Sequence, residues 1–179
     1  MKKQSLLIIV LLSTLIFSCK EESLIKPSTI DNFVGNFELQ KIELVIDGNV
    51  LVLPYKYSST KFVFKEDGTF DYPEEVIFYD GKYKYSATDK TITFSDDDPE
   101  FPYKSVLNVE KSSDIYTLKS KTEAIPLDLN DDMTYDQEIG LFTLFSLIEF
   151  EDEPSVVAFG KKIGDDPKKF SMNYYLKKK

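Results

Sequence analysis

Lys61-Phe62-Val63-Phe64-Lys65-Glu66-Asp67-Gly68-Thr69-Phe70-Asp71-Tyr72 decides the fold. Phe62 and Phe64 alternate with Lys61, Val63 and Lys65, and beyond Asp67-Gly68 the residues Phe70 and Tyr72 alternate with Asp71. Such alternation puts one set of side chains on one face of a strand, and an Asp-Gly pair supplies the positive φ angles of a tight turn. The segment predicts an antiparallel hairpin with one strongly apolar face.

The same pattern extends in both directions. Asp47-Gly48 and Asp80-Gly81 read as two more hairpin turns, the second leading from Ile77 and Tyr79 into Tyr83 and Tyr85, with Lys82 and Lys84 on the other face. Thr91 to Phe94, Ser105 to Val109, Ile115 to Leu118, Ser155 to Phe159 and Phe170 to Leu176 read as further strands, and Lys177-Lys178-Lys179 as a solvated tail. In the opening strand the apolar set slips from Phe37 and Leu39 to Ile42, Leu44 and Ile46, which predicts a bulge near Gln40 or Lys41. Ile139 to Phe150 is apolar almost throughout and fits a buried strand or a core helix. Thr134-x-x-Gln137 has the form of a capping box for a helix near 135–147. Phe142, Thr143, Phe145, Ile148 and Phe150 favour strands, and Gly140 weakens a helix by about 1 kcal/mol, so the balance tips towards strand. Eight to ten short antiparallel strands argue for a closed barrel or a sandwich.

The 179 residues hold 22 Lys plus Arg, 31 Asp plus Glu and one Cys; all the cations are Lys, and His and Trp are absent. A Ser-His-Asp triad, an imidazole metal ligand and a guanidinium clamp for phosphate are thereby excluded. At the amino terminus Lys2 and Lys3 precede an apolar run from Leu6 to Phe17, which meets Cys19. That run suits a secretory signal, since a bilayer span needs roughly 18 to 20 apolar residues. Ile16-Phe17-Ser18-Cys19 resembles a bacterial lipobox, which implies that residues 1–18 are a signal peptide and that Cys19 is acylated. Lys20-Glu21-Glu22 resembles the export signal that sends Bacteroidota-type lipoproteins to the outer face of the outer membrane. Residues 19–30, polar and containing Lys26-Pro27-Ser28, read as a flexible tether, and 31–179 as one domain. Without residues 1–18 the chain carries 20 Lys against 31 carboxylates, a balance of −11 that repels nucleic acid. With its Cys committed to acylation the domain has neither a disulfide nor a free thiol, so a hydrophobic core must stabilise it.

Gly35-Asn36-Phe37-Glu38-Leu39, then Phe62-Val63-Phe64-x-x-Asp67-Gly68-Thr69-Phe70, then Gly81-Lys82-Tyr83 resemble the lipocalin-like domain of lipoproteins from this bacterial group. That pattern is a Gly-x-Trp opening strand, a Phe-x-x-Asp-Gly-Thr hairpin and a Gly-x-Tyr strand start, and the likeness covers about residues 33–120. Phe37 stands in place of the Trp, and the Arg that covers the Trp in true lipocalins has no counterpart. The resemblance implies an all-β, antiparallel lipocalin-like barrel of about eight to ten strands.

A barrel of that size can be filled by its own side chains or hold one small ligand. Tyr79, Tyr83 and Tyr85 can line an apolar pocket with polar tips, or simply pack as core. Asp128-x-Asn130-x-Asp132 with Thr134 and Asp136 has the alternating oxygens of a calcium loop, but Met133 and Ile139 stand where that loop needs Gly and Glu. Asp96-Asp97-Asp98 reads as a solvated turn, and Glu149, Glu151, Asp152 and Glu153 as a solvated run in which nothing fixes a glycosidase separation. Neither metal nor cofactor is expected. Three classes follow in order: a barrel that binds a small apolar or amphipathic molecule, a protein-interaction module such as an inhibitor, immunity protein or accessory subunit, and a carboxylate hydrolase. The reading adopted is non-enzymatic.

Overall fold

The opening strand β1 (Gly35–Ile46) organises the sheet because it pairs along both edges. A computed structural model describes residues 33–53, 61–74, 76, 78–99, 102–126 and 133–179, and Asn32–Lys179 forms one compact unit. On one edge β1 takes β3 (Lys61–Phe64) along its first residues and β2 (Asn49–Val52) along its last. Its other edge carries β10 (Lys169–Lys178) from Phe37 to Ile46. Leu39 faces Leu176 and Lys41 faces Tyr175, so Gln40 is the extra residue of a bulge. The predicted slip is real: Phe37 and Leu39 before it, and Ile42, Leu44 and Ile46 after it, all point into the core.

β4 (Phe70–Asp71), β5 (Lys82–Ser86), β6 (Thr91–Asp96), β7 (Tyr103–Ser112), β8 (Ile115–Lys119) and β9 (Glu123–Ala124) complete the set. The sheet order is β4-β3-β1-β10-β8-β7-β6-β5, all antiparallel, with β2 and β9 attached beside β1 and β10. Its two edges approach where the Tyr83 amide donates to the Gly68 carbonyl at 2.7 Å. The Tyr83 hydroxyl reinforces that seam by donating to the Lys65 carbonyl at 2.8 Å. The result is a nearly closed, lipocalin-like barrel of eight strands.

Asp47 and Gly48, at φ 47° and 82°, make the tight turn between β1 and β2. In the β3–β4 turn the Asp67 carboxylate accepts from the Thr69 amide at 2.9 Å and its hydroxyl at 2.7 Å, which holds that carboxyl below its usual range. Asp80-Gly81 departs from expectation. It joins no hairpin, because residues 78–80 form no strand and β5 pairs with β6 instead. Gly81 is required there because a Cβ would lie 3.0 Å from the Ser95 carbonyl carbon and nearer to its oxygen.

Among the described residues, aromatic rings pack against one another in the interior along the barrel. Phe33, Phe37, Phe64 and Tyr116 meet edge-on or stacked at one end, with centroids 4.8–5.4 Å apart. Phe62, Phe70, Phe78 and Phe94 continue the column to Tyr79 and Tyr174 at the other. Each such pair adds about 0.5–1.5 kcal/mol beyond its burial. Over Phe37 sits the Lys178 ammonium, 5.6 Å from the ring centroid. Lys177-Lys178-Lys179 is accordingly no solvated tail. Its first two residues belong to β10, while the Lys179 amide donates to the Asn36 carbonyl at 3.0 Å and its ammonium pairs with Glu38.

Two expected strands are helices. Helix α1 (Tyr135–Ser146) runs into a 3₁₀ turn over Leu147–Phe150, and α2 (Pro154–Ile163) follows. In α1 the capping box is complete: the Gln137 amide donates to Thr134 Oγ1 at 3.2 Å and the Gln137 side chain accepts from the Thr134 amide at 2.9 Å. Ile139, Thr143 and Leu147, four residues apart, form its buried face. In place of a strand over Ser155–Phe159, α2 starts with Pro154 in its first turn and packs Val156, Phe159 and Ile163, also at helical spacing, onto the core. Among the described residues no helix is long and apolar enough to cross a membrane.

Candidate functional site

Among the described residues, α1 and the turn after it carry three of the six exposed large apolar side chains. α1 covers its end of the barrel because Gly140 lets its backbone close on Phe170, the first core residue of β10. Asp136, in the first turn, accepts from the Tyr79 hydroxyl at 2.7 Å and from Ser105 Oγ at 2.7 Å. Gln137 Nε2 donates to the Ala124 carbonyl at 3.0 Å, and the Tyr135 ring stacks on Tyr103 at 3.8 Å. These contacts hold the helix to three separate parts of the barrel rim.

With that face committed, Phe142, Phe145 and Ile148 turn outward and are 62%, 51% and 66% exposed. Two clefts meet at Phe142. One, of about 330 Å³, is lined by Met133, Glu138, Leu141, Phe142 and Phe145. The other, of about 320 Å³, is lined by Tyr72, Glu74, Val76, Phe78, Tyr135, Glu138, Ile139 and Phe142. Both volumes fall at the lower end of the range of small-molecule sites.

Asp80 anchors the tyrosines beside the second cleft. Its carboxylate accepts from the Tyr72 hydroxyl and, at 3.3 Å, from that of Tyr135, while Tyr103 donates to its carbonyl. Burial first, and then the Asp80 charge, push the Tyr135 hydroxyl up to about 12. Burial raises Tyr72 and Tyr103 as well, and drives Tyr79 far above its ordinary value with added effect from Tyr174 and Asp136. All of these hydroxyls stay protonated at neutral pH, so they serve as hydrogen-bond donors and not as bases or nucleophiles.

Of the three tyrosines expected at a pocket, the structure brings Tyr83 and Tyr85 together and leaves Tyr79 apart. Tyr83 and Tyr85 line a cleft of about 460 Å³ with Phe33, Val34, Glu66, Gly68 and Lys84, at the end away from α1. Tyr79 is fully buried near α1, and the path between Tyr79 and Tyr83 runs through the rings of Phe94 and Phe70. Cys19, with the rest of the signal and tether, lies outside the described residues, as do Asp128, Asn130 and Asp132 of the calcium-like run. The last members of that run have other partners: Thr134 caps α1 and Asp136 takes two hydroxyls. Among the described residues no group of three or more His, Cys, Asp or Glu could hold a metal ion. Glu149, Glu151, Asp152 and Glu153 are exposed around the 3₁₀ turn and the start of α2.

The sequence reading missed Phe142, Phe145, Ile148, Glu138, Tyr72 and Tyr135. A helical reading of Ile139 to Phe150 would have exposed the signal, because a rim helix with apolar residues all round leaves one apolar face without a partner. In comparisons with known proteins, no family model, no curated protein and no solved structure matches the chain.

Proposed function

We propose that the protein is a lipoprotein, acylated at Cys19 and displayed on the outer face of the outer membrane, whose lipocalin-like barrel binds a small apolar or amphipathic molecule without enzymatic activity. The charged start, the apolar run, Cys19 and Lys20-Glu21-Glu22 support the anchoring and the display. The observation that carries the binding reading is the pair of clefts that share Phe142 at the α1 end. Among the described residues, a column of contacting rings from Phe33 to Tyr174 occupies the interior, which favours a ligand seated at these clefts. Burying even part of Phe142 and Phe145 under a ligand returns roughly 25 cal/mol per Å² of apolar surface.

A second reading, a protein-interaction module, is favoured by the ridge itself. Phe142, Phe145 and Ile148 project at intervals of three, the spacing of a helix face offered to a partner. Residues 20–179 contain the whole compact unit and serve for the test. Native mass spectrometry of that chain from the producing cell, with organic extraction and identification of anything bound, separates the readings. A stoichiometric small molecule supports the first. A chain that stays empty after exposure to lipid and metabolite extracts counts against it, and recovery of a partner lost on Phe145→Ser would replace it with the second.

A further inference from the structure

The clefts at the two ends of the barrel differ in charge as well as in shape. Away from α1, the cleft at Asn36, Phe37 and Glu38 contains Lys61 and Lys179, and Glu38 is paired with Lys179; the Tyr83–Tyr85 cleft contains both Glu66 and Lys84. At the α1 end the charged residues lining the clefts are Glu74 and Glu138, and among the described residues no Lys lines either one. Glu138 is half-buried between the two clefts, beside Phe142, and neither Glu138 nor Glu74 enters an ion pair or a side-chain hydrogen bond among the described residues. A carboxylate half-removed from water and set against an aromatic wall is stabilised by an incoming cation and opposed by an incoming anion. Asp80, one step further along the rim, adds a third negative charge, its carboxylate accepting from the hydroxyls of Tyr72 and Tyr135. The excess of carboxylates in the chain draws cations to it from a distance.

Resting on the reading of the α1 end as a small-molecule site, we infer that its ligand is a cationic amphiphile, an apolar body bearing an ammonium group. The apolar part lies along Phe142, Leu141 and Phe145, and the ammonium sits between Glu74 and Glu138.

The test uses residues 20–179 and three probes of one chain length, decylammonium, decanol and decanoate, below their aggregation concentrations, with binding followed by NMR at the amides of α1. The expected order is decylammonium tightest, then decanol, then decanoate. Two partly screened ion pairs together favour the ammonium over the alcohol by about tenfold. Glu74→Gln with Glu138→Gln, both at solvent-accessible positions, removes that advantage, so that decylammonium binds the double variant no more tightly than decanol binds it. Equal binding of all three probes at α1, or a preference that survives the double substitution, overturns the charge assignment and leaves the apolar site standing. If none of the probes shifts α1, both the assignment and the site it rests on fall. A basic amphipathic peptide that binds the Phe142–Ile148 ridge where decylammonium does not would replace the small cation with a protein partner.

Discussion

Replacing Gly140 with Ala sets two well-measured effects against each other. In an unencumbered helix the change is favourable by about 1 kcal/mol, since Ala is the best helix former and Gly among the poorest. At Gly140 a Cβ would lie 2.6 Å from Phe170 Cδ2 and closer still to two other atoms of that ring. The contact is with a fully buried ring packed among β10 and its neighbours, so either Phe170 leaves its rotamer or α1 lifts from the rim. Overpacking of this kind costs about 1–3 kcal/mol, and helix lifting also weakens the Asp136 bonds, so the net result is a loss of roughly 1–2 kcal/mol. Gly160, in α2, is the internal control: nothing lies within 4 Å of its Cβ position, and Gly160→Ala stabilises by about 0.5–1 kcal/mol. Urea melts of the two variants, read by far-UV circular dichroism, should move in opposite directions, and Phe170→Leu should recover part of the loss in Gly140→Ala. If Gly140→Ala stabilises as Gly160→Ala does, α1 does not close on Phe170 and the clefts beside it do not have this shape.

Tyr79→Phe removes one of the two hydroxyls on Asp136 and should lower stability by about 1–2 kcal/mol in the same melts; an unchanged midpoint would mean that Asp136 does not tie the helix to the barrel. Glu43 responds to acid: burial pushes its carboxyl up, but Lys41, Tyr175 and Asn173 together hold it below its ordinary value of 4.5. A carboxyl lowered by folding contributes stability above its unfolded value that is lost as pH falls through its folded one, so Glu43→Gln should flatten the loss of stability below about pH 4.5, and a slope identical to that of the unaltered chain would contradict the pairing. Cys19→Ser should abolish labelling by radioactive palmitate and release the chain from the membrane fraction; retention would break the link between Cys19 and anchoring.

Much of the barrel was legible because its signals are local. The slip from Leu39 to Ile42 announced the Gln40 bulge, and the period of two in Phe62-Val63-Phe64 and Thr91 to Phe94 gave strands and inward faces alike. The errors fall where short apolar runs satisfy two periods at once. Ile139 to Phe150 is rich in residues that favour strands, yet Ile139, Thr143 and Leu147 fit a helix, and Thr134-x-x-Gln137 decided between them. Val156, Phe159 and Ile163 carried the same spacing in α2, hidden by the alternative pattern of Ser155-Val156-Val157. The candidate site was out of reach for a further reason: its clefts join Tyr72 and Glu74 to Glu138 and Phe142, and only the packing of α1 on Phe170 and Asp136 on Tyr79 brings those segments together. The alternation that groups Tyr79 with Tyr83 and Tyr85 in the sequence does not carry through Asp80-Gly81, because residues 78–80 form no strand.

The proposed ligand site lies at the α1 end of the barrel, beside Phe142. Native mass spectrometry of residues 20–179 recovered from the producing cell, unaltered beside Phe142→Ser, tests it most directly, because Phe142 borders both clefts and is exposed enough for the exchange to leave the fold intact. The expected result is one small cationic amphiphile per chain on the unaltered protein and its loss from Phe142→Ser. The same mass retained on both chains would place the ligand elsewhere, and an unaltered chain that carries nothing and takes up nothing from cell extracts would rule out ligand binding at the α1 end.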